Sequence, residues 1–289
     1  MSPLLVIVGE TASGKSKLAM ELAQTFNGEI ICADSMTVRQ GADIGSAKAS
    51  DDERELIPHH LIDVVRPNEA FTAAQFKLLA LEAIGDISNR GKLPIMVGGT
   101  GLYIDGVIYD YGFLPSANPD DRQRLNELTN EQLIQEANSL GLDTTVVDIN
   151  NNRRLIRLIE TEGALPTKKE IRANTLIIGI EPNRDDLNLR IEQRVDAMLG
   201  EGLEKEVEGL AQQFGWDCEA LRGIGYSQWR NYFIGTQSIQ ETRKYIVKAT
   251  QDLAKRQRTW FKRNKSIHWF ATPVYRQDVV ALVTTELGL

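Results

Sequence analysis

The stretch that decides the fold is LLVIVGETASGKSKLAMEL, residues 4–22. An apolar run typical of a buried strand leads into a loop with Gly9, Gly14, Lys15 and Ser16, and a helical pattern follows. The loop GETASGKS fits the pattern G-x-x-x-x-G-K-[ST] in the strand and helix context that this pattern requires. Backbone N–H groups of such a loop close around phosphate oxygens at a helix N-terminus. The stretch predicts a phosphate site, with ATP the usual ligand of the motif alone; a glycine-rich turn that binds nothing is the alternative.

Further apolar runs alternate with helical patterns along the chain. They read EIICA at 29–33, LPIMVGG at 93–99 and TLIIGIEP at 175–182, and a helical pattern covers 72–89. Continuous apolar strands separated by helices are typical of a parallel sheet covered on both faces. The sequence therefore predicts an α/β fold, a P-loop NTPase-like parallel sheet with helices on both faces. IHWF at 267–270 is a candidate final strand, followed by a last helix.

The pattern of the chain changes between Phe113 and Asn174. The stretch opens with the turn-rich PSANPDD at 115–121 and continues as polar, helical sequence before the strand at 175. Because sheet strands resume after it, we expect an inserted helical subdomain at 113–173. The catalytic core is then formed by 1–112 together with 174–289.

Composition excludes several classes of protein. The 289 residues are 42% apolar and 25% charged, and no apolar run approaches the ~20 residues of a membrane span. The N-terminal apolar run leads directly into the loop, unlike a signal peptide, so we expect a cytoplasmic protein with no membrane partner. Cys32 and Cys218 lie far apart without a CxxC or a His/Cys cluster, which argues against zinc and against a disulfide framework. We expect both cysteines to be buried.

The charge is unevenly distributed. The net charge is -7, yet 243–265 holds nine Lys/Arg and one acid, and 153–172 holds six Lys/Arg and three acids. At helical spacing, one side of the first segment carries Lys244, Lys248, Lys255, Arg258 and Lys262, with Ile246, Ala249, Leu253 and Trp260 opposite. Such a stripe can bind nucleic-acid phosphates, although a solvated helix face is the simpler interpretation.

The acid that a nucleotide hydrolase needs beside its phosphate loop is missing from the expected place. The strand LPIMVGG is followed by Thr100 rather than by Asp or Glu. An acid instead follows EIICA, as Asp34, at the strand end where open α/β sheets bind ligands. An N-cap on the next helix is the alternative role for Asp34.

Together these segments resemble the tRNA dimethylallyltransferase family, the bacterial tRNA isopentenyltransferases. Beyond the phosphate loop, the resemblance rests on EIICADSMTVRQGADIGSAK at 29–48, GGTGLY at 98–103, NNRRLIRLIE at 151–160, LRGIGY at 221–226 and AKRQRTWF at 254–261. It runs in order from about residue 4 to 270. The chain departs from the family pattern at Glu10, where proline is usual, and at Ser16, where threonine is common.

The resemblance implies transfer of a dimethylallyl group from dimethylallyl diphosphate to N6 of an adenosine next to the tRNA anticodon. It implies that Asp34 is the general base and that Thr100 lies beside the base and the phosphate channel. Ser16 would hold Mg²⁺, the only cofactor expected. The residues implied to bind the diphosphate are Gly9, Thr11, Ala12, Ser13, Gly14, Lys15, Ser16 and Arg222.

The same resemblance implies that the target adenosine is flipped out of the tRNA anticodon stem-loop, because only then can it reach the buried general base. We expect the enzyme to act as a monomer. The resemblance implies tRNA-binding residues around Asp34 and in the insertion, and we add cations of the basic helix to them. The full set is Asp34, Ser35, Met36, Thr37, Thr100, Arg122, Arg153, Arg154, Leu155, Ile156, Arg157, Lys248, Lys255 and Arg258.

Three alternatives share parts of this pattern. A small-molecule P-loop kinase would use Asp34 as base for a hydroxyl acceptor, but it leaves the basic segments without a role. A transferase that prenylates free adenine nucleotides would share the core and would not need tRNA. A nucleotide-dependent RNA-binding module would not need Asp34 for its function.

Overall fold

A computed structural model describes residues 1–115 and 118–289. Ser116 and Ala117, in the PSANPDD stretch, lie outside the described residues, as does the side chain of Pro119. Contacts divide the chain into a larger unit, Met1–Ile108 with Ile171–Leu289, and a smaller unit, Tyr109–Glu170. The sequence placed this insertion at 113–173.

The larger unit is built on a parallel sheet of six strands among the residues that the structure describes. The strands are β1 (Leu4–Gly9), β2 (Gly28–Ala33), β3 (His59–His60), β4 (Leu93–Gly98), β5 (Thr175–Glu181) and β6 (Ile267–Ala271). Their order is β3-β2-β4-β1-β5-β6. The predicted α/β sheet is therefore confirmed, and the strand that precedes the phosphate loop lies between β4 and β5.

The helices follow the predicted alternation. In chain order they are α1 (Lys15–Thr25), α2 (Asp51–Leu56), α3 (Ala73–Asn89), α4 (Gly101–Ile108), α5 (Pro119–Asn126), α6 (Asn130–Ser139), α7 (Asn152–Glu160), α8 (Arg184–Glu201), α9 (Leu203–Phe214), α10 (Arg230–Phe233), α11 (Ile239–Phe261) and α12 (Arg276–Leu287). Short 3₁₀ turns occupy 144–146, 220–222 and 227–229. Helices α5–α7 belong to the smaller unit. No helix in the described part of the chain is long and apolar enough to span a membrane.

Local sequence explains where the main elements begin. Every residue of β1 is buried, as expected for a central strand in a parallel sheet. Helix α3 starts with a capping box, in which Thr72 and Gln75 satisfy each other's backbone N–H groups. Helix α11 starts with the same device, formed by Ser238 and Glu241.

Two apolar clusters organise the larger unit. Alternate residues of β1, including Leu5 and Ile7, pack with α1 and α12 on one face of the sheet. Helices α3 and α11 contact the sheet as well, through β4 and β1 respectively. The second cluster joins α8, α9 and α11 around the fully buried Tyr226 and Trp229.

The smaller unit has its own apolar core. Helices α5, α6 and α7 pack through Leu125, Leu133, Leu155 and Ile156. A capping box starts α6, and an antiparallel bridge joins residues 112 and 167. This unit therefore buries its own apolar surface, as an independent helical element does.

Candidate active site

The loop between β1 and α1 has the geometry of a phosphate-binding turn. Gly14 adopts a left-handed conformation with φ 95° directly before α1. The backbone N–H of Ser13 donates to the carbonyl of Glu10 at 3.2 Å, and Lys15 Nζ donates to the same carbonyl at 3.3 Å. Ala12 is also left-handed, with φ 60°. The loop ends at the N-terminus of α1, where the first backbone N–H groups of a helix can bind an anion.

Two hydroxyl groups of this loop suit a phosphate ligand. Ser13 Oγ is buried and has no hydrogen-bond partner among the described residues. A buried hydroxyl without a partner is costly, and a bound phosphate oxygen would satisfy it. Ser16 is exposed in the first turn of α1, where its oxygen is available to a ligand.

The GGT turn after β4 is closely packed. A Cβ atom on Gly98 would collide with the carbonyl of Ala33, and one on Gly99 would collide with the amide of Gln257. Glycine at these positions lets the turn lie against the end of β2. The Thr100 N–H then donates to the Ala33 carbonyl at 3.2 Å.

Asp34 follows β2 and starts a turn rather than a helix. Its Oδ1 accepts a hydrogen bond from the N–H of Met36 at 2.8 Å, and the Thr37 hydroxyl donates to its carbonyl at 3.3 Å. The Ser35 N–H donates to Thr100 Oγ1 at 3.1 Å. The two turns that carry the predicted base and the predicted threonine are therefore hydrogen-bonded to each other.

The phosphate loop and Asp34 line one cavity of about 180 Å³. Its polar wall includes Thr11, Lys15, Ser16, Asp34, Thr37, His59, Arg194 and Gln257, and its apolar wall includes Met20, Ile30, Cys32, Val97 and Leu253. A cavity that is lined by a phosphate-binding loop on one side and by a carboxylate on another can hold a phosphorylated donor beside an acceptor.

Burial and neighbouring charges shift the pKa values in this cavity. Burial, aided by the repulsion of Arg194 and opposed by Asp34, lowers the pKa of Lys15 to about 8. Burial also lowers the pKa of Arg194, and Asp34 opposes this. Burial and the Asp34 charge raise the pKa of the Cys32 thiol to about 12. The cluster concentrates positive charge where an anion would bind, while the thiol stays protonated.

Cys32 corrects one expectation, and two histidines near it differ in their surroundings. Cys32 is half-buried in the cavity wall, whereas Cys218 is buried as expected. His59 also lines the cavity, and burial lowers its pKa, which favours the neutral ring. His60 instead bonds to Glu29 at 2.7 Å.

The polar residues of the cavity that sequence reasoning missed include two on helices of the C-terminal half. Arg194 lies in α8 and Gln257 in α11, far along the chain from the phosphate loop. Gln257 contacts the loop directly, since its Oε1 accepts from the Thr11 N–H at 2.8 Å. Gln257 was visible in the quoted AKRQRTWF motif, but Arg194 sits in an ordinary amphipathic helix that gives no local signal.

Arg222 has a different environment from the loop residues. Its side chain is exposed and paired with Glu219, and it is not among the described residues that line the cavity. The following residue, Gly223, packs against the side chain of Met36, next to the Asp34 turn. The segment that carries Arg222 is therefore adjacent to the turn that carries the predicted base.

The basic helix α11 is partly neutralised by acids of the same unit. Lys262 and Arg258 pair with Glu181 at 2.8 and 3.2 Å. Lys248 pairs with Asp252 at 3.1 Å but remains exposed, as does Lys255. The predicted stripe thus divides into exposed cations and cations held by the end of β5.

The predicted RNA-binding residues of the smaller unit also divide. Arg153 and Arg154 are exposed, whereas the side chains of Leu155 and Ile156 lie in its apolar core. Arg122 and Arg157 both pair with Glu160, whose side chain is 1% exposed. These last two guanidinium groups are therefore fixed in position by a buried carboxylate.

The described residues contain no group of three His, Cys, Asp or Glu side chains that could hold a metal ion. A cation at this site would need oxygen ligands from the bound substrate, as Mg²⁺ in phosphate sites commonly has. The exposed Ser16 hydroxyl beside the phosphate turn, in the same cavity as Asp34, fits that arrangement.

The chain is similar to a known protein family and to named members of it. The family model described as IPP transferase matches residues 37–264. A tRNA dimethylallyltransferase of Anoxybacillus flavithermus is 41% identical over 92% of this chain and 89% of its own. One of Staphylococcus epidermidis is 40% identical over 92% and 86%.

A solved structure is similar across the whole chain. The full-length tRNA isopentenylpyrophosphate transferase of Bacillus halodurans has a TM-score of 0.79 and 35% identity, and the match covers 100% of this chain and 97% of that one. A phosphate loop, a carboxylate after β2 and the family motifs thus occur together on one fold. The chain belongs to the IPP transferase family, the family of the tRNA dimethylallyltransferases.

Proposed function

We propose that this prenyltransferase moves a dimethylallyl group from dimethylallyl diphosphate to N6 of the adenosine next to the anticodon of its tRNA substrates. One observation carries the proposal. The phosphate loop shares its cavity with Asp34, while the turn after β4 carries glycines and a threonine instead of an acid. This arrangement suits a reaction in which a nitrogen nucleophile displaces a diphosphate leaving group. It does not suit activation of water.

The phosphate loop is proposed to bind the leaving group. As the carbon–oxygen bond of the donor breaks, negative charge develops on the departing diphosphate. The Lys15 ammonium, the Ser13 hydroxyl and the backbone N–H groups at the start of α1 would stabilise that charge. Arg222 is proposed to bind the diphosphate as well, after its guanidinium group leaves the Glu219 carboxylate. Guanidinium groups bind both carboxylate and phosphate oxygens.

Mg²⁺ is proposed as the cofactor, held by the Ser16 hydroxyl and by oxygens of the diphosphate. When bound, it would neutralise charge on the leaving group.

Asp34 is proposed to be the general base. Adenine N6 is a weak nucleophile, and a carboxylate within hydrogen-bond reach would orient it and accept its proton as the new carbon–nitrogen bond forms. The Met36 N–H already fixes one oxygen of this carboxylate at 2.8 Å. Thr100 and Thr37 are proposed to line the adenine pocket, with Thr100 also holding the Asp34 turn through Ser35.

Base flipping is proposed to bring the adenine into this cavity, because an adenine stacked in an RNA loop cannot reach a half-buried carboxylate. The exposed cations of α11, Lys248 and Lys255, would contact the RNA backbone. In the smaller unit, Arg153 and Arg154 would do the same from the start of α7.

The acceptor distinguishes this proposal from the alternatives. We expect prenylation of an anticodon stem-loop and none of AMP when each is incubated with the protein, dimethylallyl diphosphate and Mg²⁺. Prenylation of AMP at equal efficiency would support a free-nucleotide transferase. ADP formation from ATP with small hydroxyl acceptors, without prenyl transfer, would support a kinase and overturn the proposal.

A further inference from the structure

Gln257 joins two loops of the cavity through one side chain. It lies in α11 and is 8% exposed. Its Oε1 accepts a hydrogen bond from the Thr11 N–H at 2.8 Å, and its Nε2 donates to the Gly99 carbonyl at 3.1 Å. Thr11 belongs to the phosphate loop after β1, and Gly99 belongs to the turn after β4.

The surroundings favour an amide at this position. The space beside Gly99 is filled by Gln257 Nε2, so that a Cβ atom on Gly99 would collide with it. The contact also requires one acceptor and one donor on the same short group. Glutamine supplies both on one terminal amide and carries no charge.

The hydrogen bonds continue from Gly99 to the predicted base. Thr100, the next residue, accepts from the Ser35 N–H at 3.1 Å, and Ser35 is the neighbour of Asp34. A continuous path thus runs from the phosphate loop through Gln257 and the GGT turn to the Asp34 turn. Every step of that path is a hydrogen bond or a covalent neighbour.

We propose that Gln257 is a positioning residue that sets the spacing between the diphosphate loop and the turn of the general base. It acts through Thr11 and Gly99 and does not itself touch the reacting atoms. The inference rests on the proposed function, because that function requires a donor on one loop and a base on the other. Displacements of about 1 Å between reacting groups can cost about a hundredfold in rate.

The first test compares Gln257→Leu with wild type and with Thr259→Val. Leucine keeps most of the volume and removes both hydrogen bonds. Thr259 is exposed on the same helix and bonds only to its own helix carbonyl among the contacts described, so its variant controls for changes to α11. We expect Gln257→Leu to lower kcat about a hundredfold and to weaken binding of inorganic diphosphate about tenfold. Its affinity for tRNA should change less than about twofold.

The second test uses Gln257→Glu and a pH profile. A carboxylate can still accept from Thr11, but it repels the Gly99 carbonyl; once protonated, it can donate there again. Burial raises the pKa of the introduced carboxyl. Because the surrounding charged and titratable groups, Lys15, Asp34, His59, Arg194 and Arg258, are the same in both proteins, the activity ratio of variant to wild type isolates the introduced group. We expect this ratio to rise at least about fivefold between about pH 8 and about pH 6.

The outcomes separate the two claims. Absence of prenyl transfer by the wild type overturns the proposed function, and diphosphate binding to Gln257→Leu then tests the loop contact alone. A folded Gln257→Leu with kcat and diphosphate affinity within twofold of wild type overturns the positioning role. Loss of tRNA affinity in step with kcat, with diphosphate binding unchanged, also overturns it. If Gln257→Leu does not fold, a flat activity ratio for Gln257→Glu has the same meaning.

Discussion

Asp34 is the residue on which the proposed chemistry depends. Its carboxylate is half-buried at the carboxyl end of β2, and the Met36 N–H orients one of its oxygens. Asparagine would preserve the shape and the turn but could not accept the N6 proton. We expect Asp34→Asn to lower kcat about a thousandfold while tRNA affinity stays within about threefold.

Single-turnover kinetics and filter binding on the same preparation measure these two quantities. Asp34→Asn with near-normal turnover would exclude the general-base role. Thr100→Val serves as the matched variant, because it removes the acceptor of the Ser35 N–H and leaves the carboxylate in place. It should lose activity less severely than Asp34→Asn.

A second prediction for a single residue concerns Glu29, which is not among the described residues that line the cavity. Its side chain is 2% exposed and accepts hydrogen bonds from Arg90 and Lys92 at 2.7 Å. The Arg90 hydrogen bonds, supported by Lys92 and His60 and opposed by burial, hold its pKa well below the usual range. The folded state therefore releases this proton more readily than the unfolded state.

The sign of the pH dependence follows from that lowered pKa. The stabilisation is fully present above the unfolded pKa, near pH 4, and is lost as pH falls through the lower folded pKa. We expect Glu29→Gln to be less stable than wild type by about 3 kcal/mol at pH 7, with the difference narrowing below about pH 4. Urea unfolding at several pH values measures it. A difference that stays constant down to about pH 2 would contradict the assignment.

Residues differ in how far sequence reveals them. Lys15 could be named because it completes the phosphate-loop pattern. Asp34 could be named because a carboxylate directly after a parallel strand lies where open α/β sheets bind ligands. Arg194 could not be named, since it reaches the cavity from α8, far along the chain from the phosphate loop. The same holds for the pairing of Arg258 with Glu181, which only the placement of α11 beside β5 reveals.

A loop at 43–45 shows how one side chain fixes an element. Glu206 of α9 accepts hydrogen bonds from the N–H groups of Asp43, Ile44 and Gly45 at 3.0, 2.7 and 3.1 Å. It also accepts from the Tyr226 hydroxyl at 2.7 Å. Burial and Glu206 raise the pKa of Tyr226, which therefore remains a donor.

Two substitutions separate these contributions. We expect Glu206→Ala to cost about 3 kcal/mol of unfolding free energy, since it leaves three N–H groups and a hydroxyl without their acceptor. Tyr226→Phe removes one neutral donor and should cost about 1 kcal/mol. Urea midpoints at an unchanged slope measure both values. Equal costs for the two variants would show that Glu206 does not hold the loop.

The division of α11 predicts a difference between two of its cations. Lys255 is exposed, whereas Arg258 is engaged by Glu181 at 3.2 Å. An RNA phosphate must compete with that carboxylate for Arg258. We expect Lys255→Gln to reduce the salt slope of tRNA binding by about one, and Arg258→Gln to reduce it by clearly less. Titrations across a salt series measure the slopes, and a larger effect of Arg258→Gln would reverse this interpretation.

Strands and helices were easier to predict than their details. Buried strands such as β1 and β5 gave continuous apolar runs, and the helical pattern at 72–89 corresponds to α3 at Ala73–Asn89. Strand β3, by contrast, is only two residues long, His59–His60, and has no apolar run. Its pairing with β2 depends on tertiary contacts, which its local pattern does not encode.

At the scale of the molecule, topology explains why distant motifs act together. The order β2-β4-β1-β5 brings the carboxyl ends of β1, β2 and β4 to one edge of the sheet. The phosphate loop, Asp34 and Thr100 follow those three strands, and Gln257 reaches two of the connecting turns. The motif order was readable from the sequence, but the sharing of one cavity required the sheet order.

The central claim is that the phosphate loop holds a leaving group while Asp34 activates an adenine of tRNA. Its most direct measurement is the yield of prenylated adenosine and of free diphosphate in one reaction with dimethylallyl diphosphate, Mg²⁺ and tRNA. Nucleoside mass analysis and a diphosphate assay should give equal amounts, with the dimethylallyl group on the adenosine next to the anticodon. Diphosphate release without any mass gain on adenosine, or no reaction of either kind, would contradict the account.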